Sequence, residues 1–252
     1  MITDPNFYFA AFIGVLLTGI SKSGFGGMGG LAVPLMALTI PPPQAAAIML
    51  PILLVMDAMG LVVFRGQFDR ANLRIILPGA IIGITLGALT FSVIDPRWIR
   101  GIIGLESILF ALDRFRKAGT VLVPRPASVP KGWFWSSVAG FTSFISHAGG
   151  PPIMQFLIPQ GMDKMRLVGT TVIFFTVVNF VKLAPYAALG LLDFRNLATA
   201  AALLPVVPVG YWIGIKLLRG LDQHTFDRVL TWLMLLTGMK LLWDAVLGRV
   251  LN

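Results

Sequence analysis

The feature that most constrains this chain is the length of its uncharged stretches. Residues 5–21, 75–94, 132–162 and 196–215 contain no Asp, Glu, Lys or Arg, and residues 31–64 contain only Asp57. An uncharged apolar run of about 18 residues or more is long enough to cross a bilayer as a helix. Of the 252 residues, 56% are hydrophobic and 12% charged, whereas a soluble domain carries about 25% charged residues. A water-soluble core of this size could not hide so much apolar surface, but a bilayer can. The chain therefore reads as an all-α, polytopic helical membrane protein.

The formal net charge of +9 does not mark a nucleic-acid binder. The basic residues form no face or stripe; they fall in the short segments between apolar runs, where membrane topology puts them. The chain has no cysteine, which excludes disulfides and thiolate metal sites. The segment Met1–Pro5 lacks the positive n-region of a secretory signal, so the first apolar run is expected to stay in the mature protein. Gly24–Gly30 lacks the Gly-Lys-Ser/Thr ending of a nucleotide loop. His147 and His224 share no metal-ligand spacing. No catalytic constellation is visible, so neither an enzyme nor a cofactor or metal is expected.

The chain also reads as two related halves. Gly29-Gly30 matches Gly149-Gly150 at an offset of 120, and Asp69-x-x-Asn72-Leu73 matches Asp193-x-x-Asn196-Leu197 at 124. Gly83-x-x-x-Gly87 matches Gly210-x-x-x-Gly214 at 127, as Asp95 matches Asp222. Preserved order with a slowly drifting offset is the mark of duplication. We divide the chain into a first transmembrane repeat (1–113), a linker (114–131) and a second repeat (132–252). Each half begins with two short apolar runs around a Gly/Ser-rich break, 7–21 with 30–40 and 133–146 with 151–159. Three longer runs follow, at 44–64, 74–94 and 98–113 in the first half and at 167–188, 196–218 and 226–247 in the second.

Charge sets the expected orientation. The linker carries Arg114, Arg116, Lys117, Arg125 and Lys131, which places it in the cytoplasm. Counting spans outward from it puts the basic loops inside only if the second half is inverted, with the N-terminus periplasmic. The short paired runs, about 11–15 residues each, fall below the ~20 needed to span. They read either as half-helices of a broken or re-entrant hairpin or as tilted full spans with a tight turn. Interrupted segments at corresponding positions of two halves point to a transporter's binding site.

The first break, Gly19–Gly30, supplies Ser21, Lys22, Ser23, Gly24, Gly27, Gly29 and Gly30 as candidate substrate-binding residues. Glycines expose main-chain N–H groups, a helix start favours an anion, and Lys22 and the hydroxyls add charge and donors. The bland alternative is a close-packing glycine seam with Lys22 snorkelling. The second break, Thr142–Pro152, supplies Ser143, Ser146, His147, Gly149 and Gly150, with Pro151-Pro152 suited to open a helix. His147 could bind an anion, carry a proton or satisfy a buried contact. Asp57, Asn179 and Lys182 are candidates for coupling or charge pairing, since ionisable residues at depth usually face a bundle interior or cavity. Glu106 and the Lys240–Asp244 pair fit packing or an interface, Lys216 a snorkelling position, and the two Gly-x-x-x-Gly stripes close helix packing.

These features together resemble the TauE/SafE family, also called the sulfite exporter or TSUP family. The resemblance rests on Gly19–Gly30 followed by Pro34, the counterpart Ser143–Pro152, the short linker and the duplicated helical halves. It implies a carrier of sulfite, sulfoacetate or a related organosulfonate in the bacterial inner membrane. Such a protein would have a small anion and the lipid bilayer as partners, with a homodimer as one option. A passive anion channel and a non-transporting accessory subunit are the competing classes.

Overall fold

The structure, a computed structural model, describes residues 1–24, 30–91, 93–117, 124–220 and 223–247. Among these residues every regular element is a helix. The first half holds α1 (Pro5–Gly24), α2 (Ala32–Met36), α3 (Pro42–Val63), α4 (Arg70–Phe91) and α5 (Pro96–Lys117). The second holds α6 (Val129–Ser146), α7 (Gly150–Leu157), α8 (Lys164–Ala188), α9 (Phe194–Leu203), α10 (Val206–Gly220) and α11 (Gln223–Leu247), with a 3₁₀ turn at Ile158–Gln160 after α7. By length and composition α3, α4 and α8 can each cross a membrane, and the bent pair α9–α10 makes a fourth span if it is counted as one.

The duplicated Asp-x-x-Asn motif explains where two helices begin. Asp69 accepts from the Asn72 N–H at 2.9 Å and Asp193 from the Asn196 N–H at 2.7 Å. Each carboxylate takes up a backbone donor that the first turn leaves without a partner. The asparagines then reach across the molecule. Asn72 donates to Gln160 beyond α7 at 3.0 Å, and Asn196 accepts from Gln44 of α3 at 3.2 Å.

Two sequence expectations change in length. The first run of each hairpin is longer than read, 20 residues in α1 and 18 in α6, while the second pieces are only 5 and 8 residues. In α1 the helix runs on through Ser21-Lys22-Ser23, and the Ser23 hydroxyl donates back to the Gly19 carbonyl at 2.9 Å. Small residues there let α10 press close. A Cβ on Gly214 would overlap the Ser23 hydroxyl, and one on Gly19 would stand 3.3 Å from the Gly210 backbone. The second difference is that 196–218 is not one run: α9 and α10 meet at a 45° bend. Pro205 at the joint and Pro208 three residues later remove helix N–H donors and crowd the preceding turn.

Packing crosses between the halves. α1 lies on α10, α6 on α4, α3 on α8 and α5 on α11, while α3 also meets α9 and α4 meets α8. The Gly-x-x-x-Gly stripes make these approaches possible. A Cβ on Gly83 of α4 would run into the Ser137 carbonyl of α6, and one on Gly210 would stand 2.8 Å from the Leu16 carbonyl of α1. Small residues at such seams let helix backbones come close where lipid supplies no hydrophobic drive for association. α3 and α8 form the centre: 56% of the apolar window is buried in each, against 39% in α4. Phe9, Val62, Leu89, Phe134, Trp212 and Trp243 are exposed, as suits faces turned to lipid.

Candidate functional site

The site is built where α1, α3, α6 and α8 meet. α6 stops at His147, whose φ of 55° makes it the one described non-glycine residue in the left-handed region. Its N–H donates to the Ser143 carbonyl at 3.1 Å. That conformation costs an L-residue about 1–2 kcal/mol, and the imidazole's two bonds offset it. Nε2 lies 2.8 Å from the Ala46 carbonyl of α3, and Nδ1 lies 2.7 Å from Lys182 Nζ of α8. A carbonyl only accepts, so Nε2 carries the hydrogen and Nδ1 is the lone pair that accepts from Lys182. The histidine is thus a neutral ring held between two helices.

Lys182 is completely buried. Its Nζ also donates to the Ser143 carbonyl and to Ser143 Oγ, both at 3.0 Å. Three acceptors meet the three hydrogens of an ammonium group. Among the described residues no carboxylate pairs with it. Tyr186, one turn further along α8, donates to the Phe144 carbonyl at 2.6 Å and fixes α6 against α8.

Lys22 sits in the last turn of α1, where a cation complements the helix dipole. It forms an ion pair with Asp57 of α3. The other Asp57 oxygen accepts from Asn179 Nδ2 of α8 at 2.6 Å. Lys22 is 7% exposed and Asp57 1%; charges so enclosed persist only when paired and hydrogen-bonded. Across α1, α3 and α8 two lysines, Lys22 and Lys182, thus stand against one carboxylate, Asp57.

A small cavity of about 30 Å³ opens between these helices. It is lined by Thr18, Lys22, Gly30, Ala32, Val33, Met49, Leu53, Ser143, Ser146, His147, Phe175 and Asn179. The two breaks touch here, since a Cβ on Gly30 would stand 3.0 Å from Ala148. Thr18 Oγ1 is buried with no hydrogen-bond partner among the described residues. A buried hydroxyl is rarely left so, and this one belongs to a residue on the cavity wall.

Of the sequence-predicted residues, Lys22, Gly30, Ser143, Ser146, His147 and Asn179 line the cavity, and Asp57 and Lys182 stand behind them. Others lie elsewhere. Ser23 is bonded within α1 and packed under Gly214, and buried Ser21 is not on the cavity wall. Gly149 packs on α6, where a Cβ would stand 2.6 Å from the Ala139 carbonyl. Gly150 begins α7, and the two residues after it are prolines without N–H donors. Gly24 ends α1, while Gly27 and Gly29 lie outside the described residues. Besides Ala32 and Val33, which follow Gly30 in the chain, the sequence reading missed Thr18, Met49, Leu53 and Phe175. Each was within reach by helical spacing: Thr18 is one turn before Lys22, Met49 and Leu53 precede Asp57 at four-residue steps, and Phe175 precedes Asn179 by four.

Among the described residues no three His, Asp or Glu side chains converge as metal ligands. The family model for the sulfite exporter TauE/SafE matches residues 11–241. The chain belongs to the TauE/SafE sulfite exporter family. Membership implies a membrane transporter of sulfur-containing anions, and it covers both breaks and every helix that reaches the cavity. Comparison with curated proteins and with solved structures found no match. TauE/SafE is a transporter family, in keeping with a site that binds and orients.

Proposed function

We propose that this protein is a secondary carrier of a small sulfur-containing anion such as sulfoacetate or sulfite, working by alternating access in the bacterial inner membrane. The observation that carries the proposal is the cavity where the two breaks meet, with Lys22 on its wall and Lys182 directly behind it. Sulfonate and sulfite oxygens are strong acceptors. Lys22, Asn179 and the hydroxyls of Thr18, Ser143 and Ser146 present donors of the right kind around one space. Lys182, behind them, adds charge without occupying the space.

The crossed packing supports two repeats, 1–113 and 132–252, joined by the linker 114–131. Exchanging the halves carries the α1–α10 contact onto α6–α4 and the α3–α9 contact onto α8–α4. The positions of the basic loops favour inverted repeats, with the N-terminus periplasmic and the linker cytoplasmic. Inverted halves that grip one midplane site can exchange conformations and open it to each side in turn. We assign export as the direction, following the family's name.

The test is uptake and counterflow of a sulfonate and sulfite panel in proteoliposomes, comparing wild type with Lys22→Ala and His147→Ala. Saturable flux with counterflow, lost in both variants while the proteins stay folded, supports the carrier. Flux that neither saturates nor shows counterflow turns the reading into a channel. No flux of any sulfur oxyanion through folded wild type overturns it.

A further inference from the structure

Ser146 lines the central cavity and hydrogen-bonds to Glu106, a carboxylate that lines a second space on the far side of α6. That second space is a groove between α5 and the α6–α7 hairpin, mostly apolar, with Glu106, Thr142 and Gln155 among its lining residues. Ser146 Oγ lies 3.0 Å from Glu106 Oε2 and 3.0 Å from the Thr142 carbonyl. The other Glu106 oxygen is buried with no hydrogen-bond partner among the described residues. A carboxylate left with a bare buried oxygen is costly, and a carboxylic acid far less so.

The hydrogens can be counted. Ser146 owns one, the Thr142 carbonyl owns none, and the Thr142 hydroxyl directs its own to the Ala148 carbonyl at 3.2 Å. When Glu106 is ionised, the Ser146 hydrogen must point at it. When Glu106 is protonated, its own hydrogen can bridge to Ser146 Oγ, and the serine hydrogen is released toward the carbonyl or toward a ligand in the cavity. Protonation therefore does two things to an anion on the other side of α6. It removes a nearby negative charge and frees a donor.

We propose that Glu106 is the proton-binding residue that couples proton movement to anion movement, with Ser146 as the positioning residue that links it to the cavity. This rests on the carrier reading above. Because protonation at Glu106 favours anion binding, anion binding favours protonation by the same factor. Proton and anion then travel in the same direction.

The charged surroundings leave this role to Glu106. Asp113, two turns along α5, shares the groove, and Gln155 donates to it at 2.6 Å. From α11, packed on α5, Lys240 and Asp244 pair with each other. From α3, Asp57 pairs with Lys22. Across α6, Lys182 is fully engaged by Ser143 and His147. None of the described cations bonds to Glu106.

The experiment uses the full chain in potential-clamped liposomes loaded with a pH-reporting dye and given an inward sulfoacetate gradient. The wild type should acidify the lumen as the anion enters. Its sulfoacetate affinity should strengthen as pH falls, by up to about tenfold per pH unit through the titration. Glu106→Gln, which keeps a hydrogen-bond donor toward Ser146, should lose the acidification and the pH dependence together. Ser146→Ala should weaken the pH dependence, leaving only the part that comes from the Glu106 charge. Anion flux in wild type with no proton movement, coupled acidification that persists in Glu106→Gln, or a requirement for sodium overturns the assignment of Glu106 and leaves the carrier reading standing. Absence of any sulfoacetate or sulfite flux in folded wild type overturns the carrier reading and this proposal with it.

Discussion

The two breaks occupy corresponding places in the two halves, yet they manage a buried lysine in opposite ways. In the first half Lys22 projects from the hairpin helix and meets a carboxylate, Asp57, on the helix that follows. In the second half the lysine sits on the following helix, as Lys182, and meets only neutral acceptors on the hairpin, Ser143 and His147. The counterpart of Asp57 is Asn179, which is neutral and spends its amide on Asp57 itself. One half thus contributes a neutral ion pair and the other an uncompensated cation. In the carrier proposed above, halves of like fold and unlike charge would trade conformations while keeping a constant preference for anions.

The largest effect expected from this difference concerns stability. Asp57→Ala strands the enclosed Lys22 without its counter-ion and should cost about 3–5 kcal/mol. Lys182→Met leaves only neutral acceptors unpaired and should cost about 1–3 kcal/mol. Unfolding of the two variants in detergent, side by side, checks the ranking. Equal losses, or a larger loss for Lys182→Met, would mean that the two lysines are not managed differently.

Anion affinity should separate the halves next. Lys182→Met removes the surplus charge and should weaken sulfonate binding. Asp57→Asn leaves a second cation uncompensated and should tighten it in whatever fraction folds. Unit charges ~10 Å apart at an effective dielectric of ~20 interact by about 1.7 kcal/mol, so each shift should be about tenfold or somewhat more. Titration calorimetry with sulfoacetate reads both signs. Shifts in the same direction would show that the charges act on the fold and not on the ligand.

Much of the scaffold was legible in the sequence because a bilayer enforces simple rules. Uncharged runs gave the long helices, and the Gly-x-x-x-Gly stripes at 83–87 and 210–214 proved to be helix seams. The boundaries were harder. Ser21 and Ser23 look like binding hydroxyls in a glycine-rich segment, but Ser23 folds back on a carbonyl four residues earlier, which keeps α1 going. Pro205 and Pro78 stand at the same repeat position, 127 residues apart. Yet α4 carries its proline without a break while α9 and α10 part at a 45° bend. The second proline at 208 is the local difference. As for the cavity, Lys22 and His147 announced themselves as polar groups in apolar runs. The pairing of Lys22 with Asp57 and of Lys182 with His147 depends on how α1, α3, α6 and α8 cross, and no spacing along one helix encodes that. Glu106 was hidden for the same reason: its partner Ser146 lies 40 residues away on another helix.

The smallest expected effect tests whether the duplicated Asp-x-x-Asn motif does the same work in both halves. Asp69 and Asp193 each accept from the backbone N–H three residues on, and losing such a cap typically costs about 1 kcal/mol. Asp69 has an extra partner in Arg166 at 2.9 Å, but the arginine side chain is 53% exposed, and an ion pair so open to water adds a few tenths of a kcal/mol at most. Asp193 instead bonds the Asn196 side chain at 3.2 Å, a local contact of similar modest worth. Asp69→Ala and Asp193→Ala should therefore lower stability by nearly equal amounts, about 1 kcal/mol each, and raising the salt concentration should narrow any remaining gap by weakening the Arg166 contribution. A loss confined to one variant would show that the repeat survives there only as sequence, with the helix start held by something else. Equal losses would make the caps that begin α4 and α9 interchangeable parts, and would leave the charge of the breaks and the α9–α10 bend as the places where the halves diverge.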